Sequence, residues 1–362
     1  MELTPIEVRL IRTQKQYLRL AAEAEALREV VASLGGINAQ RPSAMMLSLR
    51  ARIRGLEPGL LDEAIAERRE LVRTWAMRGT IHLLDSEDVR WIVELLGPVF
   101  VAADKRRRAE LGLNDDVLHK GLKAIGVVLR AGEPLTRWEI MDGLEQRGFS
   151  LDRKSQAPIH LIRYAALQGL VCLGPYRENG EPTYVLLDKW LGGKIRQSQE
   201  PSLTRLIGRY LKGYGPASIN DFAAWSGIPV TRAKEAWNSS AFIEASVEGR
   251  SLWIDEFTRP AMGKSIVRLL PAFDSYVLGY ANRDLVVPKE RQKDVYHGGQ
   301  TAATAVVDGE AVGIWRYERS GKRMAIEVSL FRPLDPRIKS SLSEEAEDVG
   351  RFLGFPVSLS IK

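Results

Sequence analysis

The sequence predicts an α+β fold: three tandem winged-helix (helix-turn-helix) units followed by a small C-terminal β-barrel-like domain. Three observations carry this expectation. Helix-start signals recur along the N-terminal two-thirds of the chain. A helix–helix–helix–hairpin order repeats, each copy spanning roughly 70 residues, as a helix-turn-helix followed by a two-stranded wing would. After about Thr258 the helical periodicity gives way to short alternating runs with hairpin turn signals.

The first unit is expected over residues 1–112. Thr4-Pro5-Ile6-Glu7 is a capping box with proline at the first helical position, where a missing N–H is harmless. Two helices lead to a third at about 58–67. Residues 72–77 and 80–84 then read as a hairpin-like pair about Arg78-Gly79. Ser86 is read as the cap of a further helix whose first turn carries Glu87 and Asp88, acids suited to a helix N-terminus.

The second unit, residues 113–197, is the clearest. A helix at about 117–129 ends at Gly132-Glu133-Pro134, and the capping box Thr136-Arg137-Trp138-Glu139 starts a second helix at 137–146. A turn at Gly148, a helix at about 155–168 and two strands around a turn at 176–181 complete it. The third unit, residues 198–258, copies that order: helices at 203–211, 219–225 and 230–237, then a hairpin at 243–254 turning at Glu248-Gly249. In residues 259–362, strands are expected at 267–272, 304–307, 312–317 and 323–330. An acidic helix at 341–353 and a last strand at 357–361 follow, arranged as a partly closed barrel.

The chain has 362 residues, 45% of them hydrophobic and 27% charged, which excludes a mainly disordered polymer. Its single cysteine, Cys172, excludes an internal disulfide and any multi-cysteine metal cluster, and suits a reducing cytosol. No apolar run approaches the roughly 20 residues of a spanning helix. The N-terminus shows no basic segment followed by an apolar one. A cytoplasmic, nucleoid-associated protein is therefore expected, with no membrane partner, no cofactor and no metal. Nothing in the sequence demands an oligomer, and a monomer is the expectation.

The net charge of +6 says less than its distribution. No acid occurs between Val30 and Leu56, which holds Arg41, Arg50, Arg52 and Arg54. None occurs from Arg153 to Arg177, which holds Lys154 and Arg163, and Lys105-Arg106-Arg107-Arg108 forms a third cluster. Three such clusters favour a polyanionic partner such as nucleic acid over a merely solvated face.

Met262-Gly263-Lys264-Ser265 looks like the end of a phosphate-binding loop, but Thr258 replaces the first glycine and a strand follows where a helix is required, so no nucleotide site is expected. His82, His119, His160 and His297 share no metal-ligand spacing, and no nucleophile elbow occurs. His82 closes the Arg78-Gly79-Thr80-Ile81-His82 turn and either faces a site or packs into the core. The third helices offer few groups for base edges: Lys154, Gln156, His160 and Arg163 in one, Arg232 and Lys234 in the other. One segment is distinctive. Gly35-Gly36-Ile37-Asn38-Ala39-Gln40-Arg41-Pro42 places two carboxamides two residues apart, directly after two glycines, and by itself fits either a helix terminus or a reactive loop.

Four segments, taken in order, resemble a known family. They are residues 71–82 (Leu71-Val72-Arg73-Thr74-Trp75 through Arg78-Gly79-Thr80-Ile81-His82), residues 215–227, Leu269-Leu270-Pro271-Ala272-Phe273-Asp274, and residues 307–315. The chain resembles, over essentially its whole length, the AlkZ-type winged-helix DNA glycosylases, including their YcaQ branch. The resemblance implies a scaffold of tandem winged helices around duplex DNA and excision of alkylated bases, typically N7-alkylguanines, with antibiotic crosslinks among the lesions. It also implies a Gln-x-Gln or Gln-x-Asp catalytic motif. Gln40 matches the second position of the former, and Asn38 stands where the first glutamine would be. Both are therefore expected to be catalytic. Arg41, Arg50, Arg52, Arg54, Arg78, Thr80, His82, Lys154 and Arg163 are expected to contact DNA, the partner being double-stranded DNA carrying alkylated purines.

The chemistry fits carboxamides. An N7-alkylguanine is cationic and already a good leaving group, so the protein needs chiefly to place a water against the anomeric carbon. A carboxamide oxygen is a poor base but a capable hydrogen-bond acceptor. Two other readings stay open at this point: a non-catalytic winged-helix DNA-binding protein, regulator or damage sensor, and an interaction scaffold without DNA.

Overall fold

The computed structural model describes residues 1–192, 202–257, 259–260 and 263–362. The expected boundary at 197/198, residue 258 at the end of the third expected unit, and Thr258 and Met262 of the loop-like segment lie outside the described residues. The fold is α+β, in two compact units: Met1–Leu60 with Thr204–Lys362, and Leu61–Leu203. Among the described residues no helix is long and apolar enough to cross a membrane.

In the first unit, helix Pro5–Lys15 starts at the capping box: Thr4 Oγ1 accepts from the Glu7 N–H (3.3 Å) and Glu7 Oε2 accepts from the Thr4 N–H (2.8 Å). Its apolar face, Val8 and Ile11, packs with Val247, Leu252 and Leu285. Arg12 on the same helix is buried, donates twice to the Pro216 carbonyl (2.9 and 2.7 Å) and lies 3.7 Å over the Tyr280 ring. Helix Leu27–Ser33, the short strand β1 (Ile37–Asn38) and helix Pro42–Arg50 follow.

The unit Leu61–Leu203 is built on strands β2 (Leu71–Trp75), β3 (Ile81–Asp85), β4 (Leu135–Thr136), β5 (Val171–Tyr176) and β6 (Pro182–Leu186), ordered within it β3-β2-β5-β6-β4. β2 and β3 pair antiparallel with Thr74 opposite His82, turning through Met77–Gly79 with Arg78 at φ 56°. The next helix, Val89–Ala103, has its cap position at Asp88 rather than Ser86. Among the described residues no side chain caps this helix; Asp85 accepts from the Glu87 N–H (2.8 Å) in the preceding turn, and Asp88 accepts from Trp91 Nε1 (2.8 Å). Helices Asp115–Val128, Arg137–Glu145 and Ala157–Leu167 then precede the β5–β6 hairpin, the order the sequence predicts.

Back in the first unit, helices Leu203–Tyr214, Ile219–Ser226 and Val230–Asn238 gather Tyr210, Tyr214, Phe222, Trp225 and Trp237 into an aromatic cluster. The hairpin β7 (Ile243–Val247) and β8 (Arg250–Ile254) turns through Glu248 and Gly249, both at positive φ, as a two-residue turn between twisted strands requires. Beyond it come β9 (Val267–Leu270), the small hairpin β10 (Tyr296–His297) and β11 (Gln300–Thr301), β12 (Thr304–Val307), β13 (Glu310–Ser320), β14 (Arg323–Leu330) and β15 (Val357–Ile361).

Among the described residues the expected barrel is not formed. The five strands make an open sheet, β15-β14-β13-β12-β9, antiparallel except for the parallel pair β14–β15 that helix Pro336–Leu353 connects. The reason lies on the β9 edge. The Leu269 N–H donates to Glu345 Oε1 (2.9 Å), and the Leu269 carbonyl accepts from Arg50 Nη2 (3.2 Å). Side chains from two helices therefore hold the backbone groups that closure would have used.

Candidate active site

The loop between helices Leu27–Ser33 and Pro42–Arg50 carries the two carboxamides. Gly35 and Gly36 both have positive φ (63° and 111°), and a Cβ on Gly35 would lie 3.1 Å from the Trp225 ring, so both positions favour glycine. The reversal they make delivers Asn38 to a buried position (8% exposed) and leaves Gln40 exposed. Asn38 Oδ1 accepts from the Gln40 N–H (3.2 Å), and Asn38 Nδ2 donates to Gln40 Oε1 (3.4 Å). The shorter amide thus engages its neighbour through both ends, fixing the backbone and the carboxamide of residue 40. Arg41 is exposed, donates to Gln300 Oε1 on β11 (3.0 Å) and stacks 5.1 Å over the Phe273 ring.

Phe273 and Gln300 are additions that sequence reasoning missed. Phe273 sits at φ 61°, a conformation unfavourable for a bulky side chain, and is held there by its N–H to Thr301 Oγ1 (2.6 Å). Pro271-Ala272-Phe273-Asp274 was visible as a segment, but neither the strain nor the partner at Arg41 leaves a sequence signal. Asp274 anchors the same stretch from below.

Arg50 and Arg52 correct the expectation of phosphate contacts. The Arg52 side chain is fully buried and bidentate to Asp274 (2.8 Å twice); its Nη groups also donate to Ser48 and Gln16, while its Nε is left without a partner among the described residues. Arg50 is 3% exposed and pairs with Glu345 (2.7 Å) and Asp348 (2.9 Å); burial opposes its charge, but the two carboxylates raise its pKa on balance. An acid-free run in sequence meets its acids in space. Arg54, by contrast, is 71% exposed, 3.3 Å from Glu23, and lines a cavity of about 430 Å³ with Arg19 and Lys264.

In the other unit, Arg78, Thr80, His82 and Arg163 do come together. Arg163 donates to the Gly79 carbonyl (3.2 Å) and pairs with Asp104, and Thr80 Oγ1 donates to the Met77 carbonyl (3.1 Å). His82 is 2% exposed and donates from Nδ1 to the Thr80 carbonyl (3.0 Å). Burial, then the nearby Arg78 charge, push its pKa down to about 3. A buried neutral ring is a packing element of the β2–β3 turn, and the expectation that it touches DNA is corrected. Lys154 is exposed beside the N-terminus of helix Ala157–Leu167.

Comparison with known proteins now decides the family. A family model described as "DNA glycosylase AlkZ-like" matches residues 31–352, a span that contains the Asn38–Gln40 loop, the β9–Asp274 stretch and the whole second unit. The chain belongs to the AlkZ-like DNA glycosylase family. It is 29% identical over 327 residues to an "Interstrand DNA cross-link repair glycosylase" from Streptomyces sahachiroi, covering 84% of this chain and 85% of that protein. It is also similar to the solved structure of the Streptomyces sahachiroi DNA glycosylase AlkZ, with a TM-score of 0.82 at 24% identity, covering 99% of this chain and 100% of that one. The resemblance read from four sequence segments is borne out, and the enzyme class of this AlkZ-like protein is that of a DNA glycosylase.

Proposed function

We propose that this AlkZ-like glycosylase is monofunctional and hydrolyses the N-glycosidic bond of N7-alkylated purines in double-stranded DNA, including bulky adducts and interstrand crosslinks. The observation that carries the reading is the Asn38–Gln40 pair, with one carboxamide buried and fixed and the other exposed. The name of the Streptomyces relative supports crosslinks as part of the substrate range.

Gln40 Oε1 accepts a hydrogen bond from the attacking water and aims its oxygen at C1′. The C1′–N9 bond breaks with its electron pair going to the base. Because the alkylated base begins cationic it leaves neutral, and no acid needs to protonate it. The new C1′–O bond forms as the water's proton passes to solvent. Asn38 positions Gln40 in place of a second long carboxamide. Arg41, braced by Phe273 and Gln300, contacts the phosphate next to the lesion, and Arg54, Arg78, Thr80, Lys154 and Arg163 supply or support further backbone contacts. An open loop suits bulky lesions better than a pocket that must swallow a flipped base.

The finer architecture belongs to the same reading. Residues 1–112, 113–197 and 198–258 are three winged-helix units, and residues 259–362 form a sheet domain, in a monomer that works in the cytoplasm on the nucleoid. The helix–helix–helix–hairpin orders before β5–β6 and before β7–β8 support the second and third of these.

The test is abasic-site formation on duplex DNA carrying N7-methylguanine and on a crosslinked duplex. Gln40→Ala should cost roughly 10²-fold in single-turnover rate, as loss of reactant positioning does. Asn38→Ala should cost about 3–10-fold, the value of one hydrogen bond. Excision equal to wild type in the Gln40→Ala protein would remove Gln40 from the mechanism.

A further inference from the structure

Within the unit Leu61–Leu203, one face gathers charge that the Gln40 chemistry does not use. Helix Lys105–Glu110 is joined to the start of helix Ala157–Leu167 by Arg107 Nη2 donating to Gln156 Oε1 (2.9 Å), and by the Arg163–Asp104 pair. Lys105, Arg106 and Lys154 are exposed around this junction, the Arg106 side chain 93% so. Glu110 lies 3.1 Å from both Arg106 and Arg107, and with Asp104 and Asp152 it offsets only part of the positive charge. Half-buried His160 reports the local field. Its affinity for a proton is lowered first by burial and then by Arg163, with Arg107 and Arg108 adding to that and Asp104 opposing. Among the described residues, no large exposed hydrophobic side chain lies on these segments.

A surface of lysine and arginine with no apolar anchor lacks the aromatic core of a protein-binding patch and has the make-up of a phosphate grip. We propose that Lys105, Arg106, Arg107 and Lys154 form a sequence-independent binding face for the sugar–phosphate backbone of duplex DNA, carried by a different unit from the one that carries Gln40. It rests on the glycosylase reading only in taking DNA as the polyanion. The Arg107–Gln156 hydrogen bond brings the Lys105–Arg107 turn next to the Lys154 segment, so that cations from both border one junction. Glu110 keeps the arginines extended until phosphates replace it.

The test is the salt dependence of binding to an undamaged duplex, followed by fluorescence anisotropy on the full chain. In the Lys105→Gln/Arg106→Gln/Lys154→Gln variant the slope of log K against log[salt] should become shallower by about 0.9 for each phosphate that is no longer neutralised, between about 2 and 3 in all. Lys154→Gln alone should make it shallower by about 0.9, and this variant keeps the test available if the triple variant misfolds by circular dichroism. Lys322→Gln, on an exposed turn of the other unit, is the control and should keep the wild-type slope. A folded variant with an unchanged slope overturns this face while leaving the glycosylase reading intact. Wild-type protein that binds the duplex with the expected slope but forms no abasic site from N7-methylguanine or from a crosslinked duplex overturns the proposed N7-alkylpurine reading and leaves the face standing. Wild-type protein that fails to bind duplex DNA at low salt overturns both.

Discussion

At the scale of single residues, burial decides what each charged or polar side chain does. Arg52 and Asp274 form a bidentate pair with fully buried side chains, and each depends on the other for compensation. Removing one partner leaves the other charged in a low-dielectric interior, so Arg52→Met should destabilise its unit by about 3–5 kcal/mol, with Arg52→Met/Asp274→Leu recovering much of the loss. Urea denaturation of the three proteins checks this. His82 gives the pH counterpart. Its folded pKa, about 3, lies below the unfolded value of 6.5, so between those limits the unfolded chain binds a proton that the native ring refuses. Stability is therefore fully present above pH 6.5 and falls as the pH is lowered, by up to about 1.4 kcal/mol per pH unit. Wild type should lose roughly 2 kcal/mol between pH 6.5 and 5, and His82→Asn should show a flatter urea-midpoint profile over that range. Glu7 and Glu139, whose pKa values are lowered chiefly by backbone N–H groups of their capping boxes, act only at lower pH.

At the scale of elements, the edge of β9 shows how a few side chains redirect a fold. Glu345 receives the Leu269 N–H and the Arg50 guanidinium together, while Asp348 holds Arg50 from a side chain that is 39% exposed. Glu345→Ala should cost about 3–5 kcal/mol, because it uncovers a strand edge and strips a buried arginine of its inner partner. Asp348→Ala should cost only about 1 kcal/mol, since water can replace it. Thermal denaturation of the two variants should rank them in that order. This network also marks where the sequence stopped being readable. Helix caps at Thr4 and Thr136 are local, and each is made as the spacing predicts. So is the reversed turn at Glu248-Gly249. The open edge of β9 depends on Arg50 meeting residues nearly 300 positions away, which no local pattern encodes. The candidate site divides along the same line. The Gly-Gly-x-Asn-x-Gln spacing was legible, whereas the strained Phe273 and the Gln300 partner of Arg41 depend on packing between distant segments.

At the scale of the whole molecule, chain order and structural order disagree, and that has a consequence. One unit is continuous, Leu61–Leu203, but the other is assembled from Met1–Leu60 and Thr204–Lys362. The first sixty residues are more than a lead-in. Arg12 satisfies the Pro216 carbonyl, Lys15 pairs with Asp255 (2.6 Å), Arg52 neutralises Asp274 and Arg50 neutralises Glu345. Without them, residues 204–362 would keep two buried carboxylates with their main cations removed, and each such loss costs several kcal/mol, comparable to the whole stability of a domain. Expressed alone, residues 204–362 should therefore lack a cooperative unfolding transition and be cut rapidly by protease. Residues 61–203, with their own sheet and buried Trp91, Ile125 and Leu161, should fold and unfold cooperatively by themselves. Supplying residues 1–60 as a separate chain with 204–362 should restore protection, because the pairings between the two segments need no covalent link. A cooperatively folded 204–362 fragment would show that the arginine network adds stability without specifying the unit.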